Sequence, residues 1–148
     1  MSRTRPENPN AVAEKLKVDW LKRLNELISD VNAWATGLGW KTRTIKKRMD
    51  DAEIGSYQAP ALLLQQETLE IILEPIARTA IGAEGVVDLY LLPRYDDIAS
   101  LYFEDGAWKL RYMFAEDADV PTIRDARPKT LNKKALSNVL EAMKTNAI

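Results

Sequence analysis

With 148 residues, 46% of them hydrophobic and 29% charged, the chain has the size and composition of one globular domain rather than of a disordered or fibrous protein. It contains no cysteine and no histidine, which removes disulfides, thiolate nucleophiles, Ser-His-Asp and Cys-His systems and the usual zinc sites. The formal net charge of −1 provides no global field toward nucleic acid or membrane, so acid–base chemistry would fall to Asp, Glu, Lys or Tyr and any metal would be a hard, oxygen-bound ion.

Residues 1–9 read as a loose polar arm, with no apolar stretch behind their charges. No later run approaches the roughly 18 consecutive apolar residues that a membrane helix requires, so a cytoplasmic protein with no membrane partner is expected. Asn8 and Pro9 suit an N-cap and a first-turn proline. Leu16, Trp20, Leu24, Leu27, Val31, Trp34 and Leu38 then recur at steps of three and four, which predicts one long helix with a single apolar stripe. Gly37 and Gly39 are natural stops for it.

From Trp40 the texture changes to β-branched and aromatic runs punctuated by turn residues, which predicts six strands, at 40–50, 57–66, 68–76, 86–93, 97–104 and 107–113. Within 61–76 a helix competes, but Glu70, Ile72 and Glu74 alternate with Leu69, Ile71 and Leu73, and Pro75 would interrupt a helix. A polar stretch carrying Pro121 and Pro128 follows. Thr130 is read as the cap of a final helix whose apolar positions are Leu136, Val139, Leu140 and Met143. Residues 1–148 therefore read as a single α+β domain. It has a long N-terminal helix, an antiparallel β-meander of about six strands and a C-terminal helix, with both helices packed on one sheet face.

Turn chemistry sorts the strand residues into faces. The Asp105-Gly106 turn sets Phe103 opposite Trp108 and Leu101 opposite Leu110. A turn centred near Tyr95 sets Asp88 opposite Tyr102, a loop centred near Ile81 sets Glu74 opposite Asp88, and a turn at Gln66-Glu67 sets Leu64 opposite Leu69. One face then collects Leu62, Leu64, Leu69, Ile71, Leu73, Leu89, Leu91, Leu101, Phe103, Trp108 and Leu110 and is read as the core. The other collects Leu63, Glu70, Ile72, Glu74, Asp88, Tyr90, Ser100, Tyr102, Lys109 and Arg111.

Three surfaces could carry function. Ile72, Tyr90, Tyr102 and Arg111 form a half-apolar patch ringed by charge, suited to a protein partner or a second copy of the chain. The basic run Lys41, Arg43, Lys46, Lys47 and Arg48 could contact phosphates of a nucleic acid, or could simply protect a sheet edge from unwanted pairing. Glu74 and Asp88, with Lys109 nearby, could hold Mg²⁺ for phosphodiester hydrolysis, or could form a solvated charge ladder offset by Lys109 and Arg111. The acidic tract Glu116, Asp117 and Asp119 matches no calcium loop, and Gly82 to Gly85 is not followed by the Lys-Ser/Thr of a phosphate loop. With no cofactor motif and no convincing acid–base set, the leading expectation is a non-catalytic interaction module, of accessory, adaptor or immunity-like type, working through the sheet face free of helices. A nucleic-acid-binding protein using 41–48 is the alternative, and a Mg²⁺-dependent hydrolase the second alternative.

Overall fold

A computed structural model describes residues 9–114 and 127–147. The chain is α+β. A long helix α1 (Pro9–Gly37) precedes strands β1 (Lys41–Asp51), β2 (Gly55–Gln66), β3 (Leu69–Ala77), β4 (Val86–Leu91), β5 (Asp96–Glu104), β6 (Ala107–Arg111) and β7 (Lys129–Thr130), and helix α2 (Lys133–Asn146) follows. The seven strands form one antiparallel sheet in the order of the chain. The added strand, β7, occupies the residues read as a helix cap. Thr130 pairs with Lys109, and the cap is Asn132, whose side-chain oxygen accepts from the Ala135 N–H at 2.8 Å.

The helical stripe buries Trp20, Leu24, Leu27, Ile28, Val31 and Ala35 against the sheet, while Leu16, Trp34 and Leu38 are half-buried. α2 adds Ala135, Leu136, Val139, Leu140 and Met143. The sheet contributes Leu62, Leu64, Ile71, Leu73, Val87, Leu89, Ala99, Leu101 and Leu110 to the same core. Each of these larger side chains contributes about 1.5–3 kcal/mol on burial, so this layer dominates stability. Gly85 is required by close packing, because a Cβ there would lie 2.6 Å from the Trp20 ring.

Register confirms two of the four expected hairpins rung for rung. Phe103 faces Trp108 and Leu101 faces Leu110, while Ile72 faces Tyr90 and Glu74 faces Asp88. The other two are displaced by two residues, which preserves the faces. Leu64 faces Ile71 rather than Leu69, because the turn residues are Glu67 and Thr68, with Glu67 at φ 55°. Asp88 faces Ser100 rather than Tyr102, because the β4–β5 turn spans residues 92–95, with Leu91 facing Asp96, and a bulge between Leu89 and Leu91 then adds the one residue that keeps the faces.

The pairing of β2 with β3 stops short. β2 and β3 are paired only from Leu62↔Leu73 to Gln66↔Leu69. Continuing that register would set Pro60 against Pro75, two residues that lack the N–H a ladder needs. Beyond this point the outer half of the β1–β2 hairpin leaves β3, and its burial parity changes: Ala59 and Ala61 are buried as well as Leu62 and Leu64. Tyr57 on this outer half accepts a buried hydrogen bond from Trp20 Nε1 at 2.8 Å. Two polar clips close the gap. Lys47 Nζ donates to the Pro75 carbonyl at 2.9 Å and lies 3.5 Å from the Glu74 carboxylate. Arg78, only 9% exposed, donates to Asp51 at 3.1 Å and to Glu53 at 2.9 Å.

The candidate interaction face

Both helices lie on one side of the sheet, so the other side is where the sheet itself can meet a partner. Cross-strand pairing arranges that side in rows. The first row runs Arg43, Leu63, Ile72, Tyr90 across β1 to β4. At the β4–β5 bulge, Asp97 and Ile98 together face the single Tyr90. Asp97 turns toward α2, where its carboxylate accepts from Tyr112 OH at 2.7 Å and from Asn146 Nδ2 at 3.2 Å. Ile98, of the same strand parity as Ser100, falls on the helix-free side and is 41% exposed. Tyr95, 50% exposed in the adjoining turn, packs edge-on against Tyr90 with ring centroids 5.5 Å apart.

The second row runs Glu74, Asp88, Ser100, Arg111. Two carboxylates directly opposite each other repel, and the fold offsets this locally. Lys47 serves Glu74, and Tyr90 OH donates to Asp88 Oδ2 at 2.6 Å. The other oxygen, Asp88 Oδ1, is buried and has no hydrogen-bond partner among the described residues. Burial, and then the bond to Asp88, push the Tyr90 phenol above its ordinary value of 10.0. It therefore stays protonated at neutral pH and acts as a fixed donor rather than as a base.

The third row runs Val86, Tyr102, Lys109, Thr130. Lys109 Nζ donates to Thr130 Oγ1 at 3.2 Å, and the Arg111 guanidinium lies 5.7 Å from the centre of the Tyr102 ring. Lys109 thus sits one row away from Glu74 and Asp88 and does not share their rung. Among the described residues, no group of three or more carboxylates is placed to hold a metal ion.

Of the expected interface residues, Tyr90 and Tyr102 are half-buried, Arg111 is partly exposed and Ile72 is only 5% exposed. The open apolar surface lies instead at the end of the first row, on Tyr95 and Ile98, with Ile76 38% exposed further along β3. Ile98 and Tyr95 lie outside the patch of Ile72, Tyr90, Tyr102 and Arg111 that strand alternation predicts. Their placement depends on the bulge at Tyr90, although Tyr95-Asp96-Asp97 already marked a turn. The basic run divides as well. Lys41, Arg43, Lys46 and Arg48 are exposed along β1, whereas Lys47 is committed to Pro75 and Glu74. The acidic tract at 116–119 lies outside the described residues. Among the described residues, no helix is long and apolar enough to cross a membrane. No protein-family model, curated protein or solved structure matches the chain.

Proposed function

We propose that this protein is a non-catalytic interaction module that binds another protein, or a second copy of itself, through the helix-free face of its sheet. The reading is carried by one observation. The apolar row ending in Tyr90, Tyr95 and Ile98 reaches solvent beside a row of charges, the combination of aromatic anchor and polar rim that protein interfaces use. Tyr95 and Ile98 offer the anchors, while Asp88 and Arg111 supply polar groups fixed by their neighbours. Lys109 stands one row away from Glu74 and Asp88, which gives the hydrolase reading no supporting geometry.

The test is substitution on this face. Tyr90→Ala, Tyr102→Ala and Ile98→Asp should each weaken self-association or partner capture, read by sedimentation velocity and by affinity retention, while circular dichroism stays that of the folded domain. Unchanged association and capture in all three would remove this face from consideration.

A further inference from the structure

The long edge of the sheet is a second surface, separate from the face described above. β1 is the first strand of the sheet order, so its outer side has no strand beside it among the described residues. It is 11 residues long and pairs with β2 without a bulge from Lys41↔Gln65 to Asp51↔Gly55. It contains no proline, and Thr42, Thr44 and Ile45 favour extended backbone. A regular edge of this length presents a row of backbone N–H and C=O groups ready for another strand.

The side chains specify which strand. Lys41 and Arg43 share one parity and Lys46 and Arg48 the other, so cations flank the edge on both faces of the sheet. Lys41, Arg43 and Lys46 have no ion-pair partner among the described residues. Arg48 has only a contact of 3.9 Å to Asp50, with both side chains about three-quarters exposed at 76% and 75%. A second copy is a poor occupant. An antiparallel pairing centred on Lys46 sets Lys46 against itself, and one centred between Thr44 and Ile45 sets Arg43 against Lys46 and Lys41 against Arg48. A phosphate backbone would satisfy the cations but could only accept from the edge N–H groups, leaving the carbonyls facing negative charge.

We infer that the β1 edge binds an extended acidic segment of another protein by strand addition. Its backbone pairs with the outer side of β1, and its carboxylates, two on each face of the added strand, meet Lys41 and Arg43 on one face and Lys46 and Arg48 on the other. The same cations that disfavour self-pairing select this partner.

The probe is a fluorescein-labelled Glu-Val peptide as long as β1, with its carboxylates spaced as Glu-Val-Glu-Val-Val-Glu-Val-Glu so that two fall on each face of the strand. Its companions are a version N-methylated at every residue, which keeps the charge but has no N–H with which to pair on either edge, and a single-stranded oligonucleotide. Anisotropy should show saturable, salt-sensitive binding of the first peptide, weakened about tenfold or more by Arg43→Glu combined with Lys46→Glu. The N-methylated peptide should not bind. In the unaltered protein, hydrogen exchange read by NMR should slow at the outward amides of β1 when the peptide is added, a result that does not depend on any variant folding. Equal binding of the N-methylated peptide, no slowing in β1, or no binding of the Glu-Val peptide would each overturn the inference. Binding of the oligonucleotide in preference to the peptide would overturn it in favour of a nucleic-acid edge.

Discussion

Lys46 and Lys47 are adjacent cations with opposite structural fates, which gives a sharp internal comparison. Lys47 Nζ donates to the Pro75 carbonyl at 2.9 Å across the gap where β2 and β3 stop pairing. Its partner Glu74 has a side chain only 15% exposed and lies opposite Asp88. Lys47→Met removes a charge-assisted hydrogen bond, worth about 1.5–3 kcal/mol, from an ammonium that is 33% exposed and therefore partly screened. It also leaves two facing carboxylates with less compensation, so a net loss of about 2 kcal/mol is expected. Lys46 is exposed and has no ion-pair partner among the described residues, so Lys46→Met should stay within about 0.5 kcal/mol of the parent. Urea unfolding followed by tryptophan fluorescence measures both, and by heat the Lys47 variant should lose about 4–8 °C in Tm. If the two variants agree within about 0.5 kcal/mol, the clip across the split sheet does not carry the stability assigned to it.

Three further outcomes follow from the packing. Gly85→Ala places a Cβ 2.6 Å from the Trp20 ring and 3.3 Å from Trp108, so it should cost about 1–3 kcal/mol in the same urea assay, and a neutral result would contradict the close approach. Asp51 is held below its ordinary 3.8, because N–H groups of Glu53 and Ile54 and the Arg78 guanidinium together outweigh the opposing effect of burial. A carboxyl depressed in the folded state contributes stability that is present above its unfolded value and lost as pH falls toward the folded one. The stability gap between the parent and Arg78→Met should therefore be full above about pH 5 and shrink below about pH 4, and a gap independent of pH would speak against the pairing. Asn132→Ala removes the cap of α2 and should cost about 1 kcal/mol by thermal unfolding, whereas Thr130→Ala should cost less.

Much of the fold was legible because side-chain alternation has a period of two. The two hairpin registers that moved did so by two residues, so Asp88, Tyr90 and Tyr102 kept their face although Asp88 acquired Ser100 as its neighbour. What alternation does not encode is turn length. Glu67 in a left-handed conformation and the bulge beside Tyr90 set the true rungs, and neither residue type demands that geometry. The meaning of Pro60 and Pro75 also emerges only from register: each alone suggests an edge or a break, and together they mark where two central strands part. Lys47 looked like one cation of five until its carbonyl partner was placed across that gap. Arg78 stood in a loop with no pattern around it, and its acidic partners Asp51 and Glu53 are more than twenty residues earlier in the chain.

Differential capture tests whether the helix-free face is the binding surface. Immobilised parent protein, Ile98→Asp, and Lys22→Asp on the exposed side of α1 would be challenged with the same cell extract, with every retained protein quantified, the chain itself included, after each variant is checked for native circular dichroism. If the helix-free face binds, at least one protein is held by the parent and by Lys22→Asp and lost from Ile98→Asp. The same retained set on all three, or nothing retained by the parent, would contradict it.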